Sequence, residues 1–391
     1  MVHGLAPLIQ RWHLKPPVYN ASDLMSPLKF IRPDLQDMQA YHVQSAAGMV
    51  KLDAMENPYT LSADLQAQLG ARLGAVAINR YPGERIDDLK KALSDFIGLP
   101  AGHALMLGNG SDELISLLST ACHLPGATAL APEPGFVMYG MSAKFQGLAY
   151  VGVSLRDDFE LDEAAMRAAI DKHQPAIVYL AYPNNPTANV WDPEVMRRLI
   201  AQVSAYGGWV ALDEAYQPFS SATWLDEIQR DPAANAQVLL MRTLSKLGLA
   251  GVRIGYMVGR AEVINHLDKI RPPYNVSVLN AECALFALEH RSEFERQALA
   301  IRSERERLTQ ALAALPGVTP YPSQANMLLA RFSGDEQVAT RVFEALKERR
   351  VLVKNVSKMH PVLHHCLRLT VGTPAENDQL LKALQEVLAT L

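Results

Sequence analysis

Cysteine is scarce in this chain: three residues among 391, Cys122, Cys283 and Cys366, with no Cys-x-x-Cys pair. That argues against a disulfide framework and against a structural zinc site. No run approaches the roughly 18 apolar residues of a membrane-spanning helix. Neither sign of charge dominates, since 37 Lys+Arg against 41 Asp+Glu leave a formal net charge of −4. Nothing therefore favours a nucleic-acid partner, whose phosphates need clustered cations. Met1 to Lys15 lacks the basic start and continuous apolar core of a signal peptide, so the expected compartment is the cytoplasm. No segment repeats with a period of about 20–50 residues.

What is present is the balance of an ordinary globular protein, 49% apolar and 20% charged, long enough for about two or three domains. Residues 1–25 carry several breakers (Pro7, Pro16, Pro17) and read as a loose extension, with Met25 as an alternative start. Beyond them one pattern recurs: a short apolar run, then a polar or glycine-rich cluster, then helical spacing. Ala104–Leu107 leads into Gly108–Glu113, Thr128–Ala131 into Pro132–Phe136, and Ala176–Ala181 into Tyr182–Thr187. Trp209–Leu212 leads into Asp213–Tyr216, and Val238–Met241 into Arg242–Lys246. Continuous apolar runs of this length suit strands buried on both faces of a helix-covered parallel sheet. Ligands of such sheets lie beyond the carboxyl ends of the strands, so all five clusters are expected to converge on one edge. The last ninety or so residues mix helix and strand without that rhythm, as in a smaller α+β domain. There Glu293–Leu315 reads as a helix with Leu299, Ile301, Leu308 and Leu312 apolar, and Asn377–Leu391 as a closing helix.

Each cluster admits a plain and a chemical reading. Gly108-Asn-Gly-Ser-Asp-Glu113 opens a helix with Leu114, Leu117, Leu118 and Ala121 on its apolar face. It is either a turn with an N-cap or an anion cradle, because glycine admits close approach and helix-start N–H groups attract phosphate. Glu113 stands where a dinucleotide fingerprint needs its third glycine. Asp213 is either a helix cap or a carboxylate for a positive ring nitrogen. Tyr216 is either core packing or a phenol donor. Lys246 is either a solvated charge or the residue type that forms a Schiff base when burial lowers its pKa. Arg253, past Gly248 and Gly251, is either a surface ion pair or an anion ligand. His360, His364 and His365 invite a metal, but Pro361 interrupts them and no Asp, Glu or Cys nearby completes a ligand set; the expectation is no metal.

Together the clusters resemble the aspartate-aminotransferase-like, fold type I family of enzymes that depend on pyridoxal 5′-phosphate (PLP). Within it the sequence is most similar to the histidinol-phosphate aminotransferases, from about residue 28 to the C-terminus. The resemblance is carried by Asp53–Pro58, Arg80–Pro82, Gly108–Glu113, Pro183–Thr187, Asp213–Tyr216, Thr243–Arg253, Pro273–Val276 and Leu367–Thr373. It implies an α/β fold, with a large domain of mostly parallel sheet covered by helices and a smaller α+β domain. The implied divisions are an arm with part of the small domain over 26–75, the large PLP-binding domain over 76–290, and the small domain over 291–391. It also implies that Lys246 carries PLP as a Schiff base, that Asp213 pairs with the pyridinium nitrogen, and that Asn185 and Tyr216 bind O3′. Phe136 takes the ring-stacking position. Gly110, Ser111, Asp112, Ser245 and Arg253 form the phosphate cup, Thr243 also binds the cofactor, and Tyr81 reaches the phosphate from the partner of a homodimer. Arg368, Lys354 and Asn57 fall to the substrates, glutamate and histidinol phosphate.

Three positions depart from the family pattern. Lysine and phosphate arginine are seven apart rather than eight, Ala188 replaces the glycine of Asn-Pro-Thr-Gly, and Lys354 replaces the arginine of Val-Arg-Asp. Lysine meets a phosphate as a point charge and cannot fork around it. The competing activities are an aromatic aminotransferase and a decarboxylase of a phosphorylated amino acid, which the same fold hosts equally well. A regulatory protein that merely holds PLP is a third; the spare residues are too few for an added DNA-binding domain.

Overall fold

In the computed structural model, which describes residues 28, 30–36 and 44–390, strand β1 is Val50–Lys51. Seven further strands build the central sheet: β2 (His103–Gly108), β3 (Thr128–Glu133), β4 (Ala149–Ser154), β5 (Ile177–Ala181), β6 (Trp209–Asp213), β7 (Val238–Thr243) and β8 (Gly255–Arg260). Their order is β2-β8-β7-β6-β5-β3-β4, and β8 alone runs against its neighbours. The five expected runs are all strands of this sheet. Every residue of β5 and β7 is buried, as continuous apolar strands covered on both faces require.

Helices return the chain between the parallel strands, and their ends follow local chemistry. Asp192 caps Pro193–Ala205 by accepting from the Glu194 N–H, with proline in the first turn, where no N–H is missed. Ser111–Ala121 buries Leu114, Ile115, Leu117 and Leu118; Ala121, expected on that face, is exposed at the helix end.

A second sheet, β12-β13-β10-β9, follows from β9 (Val318–Pro320), β10 (Met327–Phe332), β11 (Val351–Leu352), β12 (Lys354–Asn355) and β13 (Cys366–Thr370), while β11 pairs instead with β1. The register sets Lys354 opposite Arg368. Helix Pro374–Leu388 covers this region behind a capping box of Thr373 and Glu376. Helix Arg291–Ala313 buries Phe294, Ala298, Ile301, Leu308 and Leu312. Leu299, expected in that stripe, is 57% exposed, because it lies five residues from Phe294, about 140° around the helix.

Contacts divide the chain into 1–45 and 46–391. The first unit shows the one-turn helix Pro33–Gln36 beside an Arg32–Asp34 ion pair; the loose extension expected over 1–25 lies outside the described residues. Among the described residues no helix is long and apolar enough to cross a membrane.

Candidate active site

The carboxyl ends of β2, β3, β5, β6 and β7 deliver their clusters to one cleft, as the strand-then-cluster rhythm predicts. Ser111, Asp112, Phe136, Asn185, Asp213, Tyr216, Thr243, Ser245, Lys246 and Arg253 all line it. Met55, Tyr139 and Ala181 line it as well and were not singled out from the sequence.

One end is built for an anion. Helix Ser111–Ala121 starts at Gly110 with no side-chain cap, so its first N–H groups remain open to a ligand. Gly110 holds φ at +78°, and a Cβ there would sit 2.7 Å from the Arg253 guanidinium. A Cβ on Gly255 would lie 2.7 Å from the backbone of Gly110 and Ser111. Two glycines thus let the helix start, β8 and Arg253 close on one small volume. Arg253 donates to Ser245 Oγ at 3.5 Å and lies 3.5 Å from Asp112. Thr243 Oγ1 bonds Ser245 Oγ at 2.9 Å. Between Lys246 and Arg253 the backbone passes through Gly248 at φ +134° and reaches Arg253 at φ +55°. Glu113, instead of the third glycine of a dinucleotide site, accepts from the Asn109 N–H and from Asn275 Nδ2, both at 2.6 Å.

The other end carries Asp213, 4% exposed at the end of β6. Its carboxylate accepts from the Tyr139 hydroxyl at 2.8 Å and from the Ala215 N–H at 2.9 Å. Burial pushes its pKa up to about 6, against those two hydrogen bonds. A buried carboxylate with no cation on it among the described residues favours a positively charged partner.

Lys246 stands between the ends, just past β7, with Nζ donating to the Ala54 carbonyl at 3.3 Å. Burial first, and the Arg368 cation second, lower its pKa to about 8. Arg368, 8% exposed on β13, donates to Asn185 Oδ1 at 2.8 Å and to the Asp53 carbonyl at 2.7 Å. Asn185 in turn donates to the Tyr216 hydroxyl at 3.0 Å. Lys354 faces the same side of its sheet as Arg368, since directly opposed residues of antiparallel strands do. Ala188, where the family pattern has glycine, stands at φ +64° and is fully buried, so alanine here holds a left-handed conformation that suits glycine.

Two expected residues lie elsewhere. Asn57, expected at the substrate, donates its amide to the Leu247 carbonyl at 2.9 Å and Gln297 Oε1 at 3.0 Å, and its Oδ1 accepts from the Tyr59 N–H. These bonds fasten the lysine loop. Tyr81 is 74% exposed and stacks on Tyr274 at 4.2 Å, outside the cleft of its own chain. His360 caps the turn Pro361–Leu363, and His364 Nδ1 meets the Pro361 carbonyl at 3.0 Å, so the two rings do not share a helical face.

Residues 47–384 match the sequence model of the family Aminotransferase class I and II. The histidinol-phosphate aminotransferase of Methylibium petroleiphilum is 61% identical over 361 residues, 92% of this chain and 95% of that protein. That of Polaromonas naphthalenivorans is 59% identical, over 92% and 96%. Among solved structures, histidinol-phosphate aminotransferase from Sinorhizobium meliloti, in complex with pyridoxal 5′-phosphate, superposes with a TM-score of 0.79 at 25% identity, over 94% of this chain and 99% of that one. The chain belongs to the class I and II aminotransferases, and within them to the histidinol-phosphate aminotransferase family.

Proposed function

We infer that the protein is a PLP-dependent transaminase that moves the amino group between L-glutamate/2-oxoglutarate and imidazole acetol phosphate/L-histidinol phosphate. One observation carries this: a buried lysine of lowered pKa stands between an anion cup and a buried carboxylate that meets no cation among the described residues. This donor set fits PLP, whose phosphate and ring nitrogen need those two opposite ends. When bound, PLP supplies a pyridine ring that withdraws electrons from the substrate Cα.

The chain's own residues then have separable tasks. The first turn of Ser111–Ala121, Ser245 and Arg253 would bind the phosphate, Asp213 would meet the ring nitrogen, Tyr216 and Asn185 would hold O3′, and Phe136 would stack on the ring. Lys246 Nζ is the amine that would hold the PLP aldehyde; once the substrate amine displaced it, the freed amine would be placed to take the proton from Cα and to return it on the other side of the transfer. Arg368 and Lys354 are the cations for the glutamate carboxylate and the substrate phosphate, a planar fork beside a point charge. Asn57 holds the lysine loop. The exposed Tyr81 supports a homodimer in which this phenol reaches the partner's phosphate cup. Metabolic chemistry of this kind belongs in the cytoplasm.

The test is an amino-acceptor and donor panel with purified holoenzyme. Histidinol phosphate should exceed both histidinol and phenylalanine by at least about tenfold in kcat/KM, the worth of one charge-assisted contact. Equal turnover of phenylalanine would assign an aromatic aminotransferase. Release of carbon dioxide from a phosphorylated amino acid would assign a decarboxylase.

A further inference from the structure

Tyr139 is 2% exposed and reaches Asp213 from helix Met138–Gln146, at whose start it lies one turn after Phe136. Its N–H bonds the Phe136 carbonyl at 3.2 Å and the two rings meet edge to face at 5.6 Å. The same turn therefore offers Phe136 to the cleft and sends the Tyr139 hydroxyl to the carboxylate. On its other side Tyr139 stacks on Tyr179, 4.5 Å between centroids and 5° from parallel. The Tyr179 hydroxyl lies 3.2 Å from Ser119 Oγ, on the helix whose first turn forms the anion cup. A continuous path of buried contacts thus joins the two ends of the cleft.

We propose that Tyr139 is the positioning residue of the ring-nitrogen end: its hydroxyl, fixed by the stack on Tyr179, keeps the Asp213 carboxylate ionised and oriented for a bound ring N–H. The titratable groups around Asp213 are Tyr139, Tyr179 from β5, Tyr216, Asp112 from the cup helix and the adjacent Glu214. Asp112 and Glu214 oppose its ionisation, whereas the Tyr139 hydrogen bond favours it. A phenol that donates to a carboxylate stabilises the charged form more than the neutral one, so its effect should be felt chiefly when a cation sits opposite.

The proposal rests on the transaminase reading, and the experiment separates the two. Apoprotein is titrated with PLP and with the carbon analogue in which C–H replaces the ring nitrogen, for wild type and Tyr139→Phe. Wild type that binds no PLP would defeat the transaminase reading itself. If wild type binds, Tyr139→Phe should weaken PLP about tenfold and leave the carbon analogue unchanged, which also reports that the variant folds. In an Asp213→Asn background the same substitution should have no further effect. Equal losses for both ligands, no loss for either, or an undiminished loss in the Asp213→Asn background would overturn the assignment.

Discussion

A lysine amine must be neutral to attack an aldehyde, and the pKa of Lys246 near 8 sets when that happens. Roughly one-tenth of the amine is neutral at pH 7 and nine-tenths at pH 9. Capture of PLP by apoprotein, followed by absorbance, should therefore quicken roughly tenfold between those values and then level off; a rate still climbing beyond pH 10 would mean an ordinary solvated lysine. A second residue-scale prediction lies behind the cleft, where Arg242 and the fully buried Glu214 pair at 2.8 Å. Glu214 also accepts from Thr223 Oγ1 and the Trp224 N–H. Arg242→Met should lower apoprotein stability by about 3–5 kcal/mol, because it strands a buried carboxylate. Adding Glu214→Gln should recover much of the loss, as the midpoint of thermal unfolding would show. At this scale the sequence was informative where a residue closely followed an apolar run, as Asp213 follows Leu212 and Lys246 stands five residues after Met241. Tyr139 gave only the signal of a second aromatic one turn after Phe136, since its partner lies 74 positions away and meets it only on folding. The contacts of Asn57 were not legible, because they depend on where the Leu247 loop passes.

Between elements, the anion cup depends on how closely the start of Ser111–Ala121 approaches β8 and Arg253. The two glycines there should respond differently to a methyl group. At Gly110 the obstacle is the flexible end of Arg253, so Gly110→Ala should displace that guanidinium and strain φ, weakening PLP binding with a stability loss of about 1 kcal/mol. At Gly255 the obstacle is backbone, which cannot swing aside, so Gly255→Ala should lower stability by about 1–3 kcal/mol or more. Calorimetry with PLP titration separates the two; equal behaviour would mean that the close approach is not what shapes the cup. The sheet strands legible in advance were those buried on both faces. β4 is a sheet edge with exposed positions, and β8 begins with Gly255 and carries Gly259, so neither shows a continuous apolar run. The pairing of Lys354 with Arg368 was likewise hidden, because a register between distant strands is set by packing rather than by local pattern.

On the scale of the whole molecule, the cleft of one chain supplies the cup, the carboxylate and the lysine, while Tyr81 stands outside it, stacked on the 56% exposed Tyr274. Two large aromatic faces left this open to water are what an interface would cover. If two copies meet about a two-fold axis, each gives its Tyr81 to the other's phosphate cup and both sites form together. The arrangement makes a quantitative prediction for mixed chains. Tyr81→Ala and Lys246→Ala proteins, each inactive alone, are unfolded together and refolded with PLP. Random pairing makes about half of the dimers hybrids, and each hybrid holds one site with an intact lysine and an intact tyrosine from opposite chains. Recovered activity should therefore approach about one quarter of wild type, and should disappear when the mixture is diluted until the dimers separate. Were Tyr81 to serve its own chain, every hybrid would hold one site lacking the lysine and one lacking the tyrosine, and mixing would restore nothing.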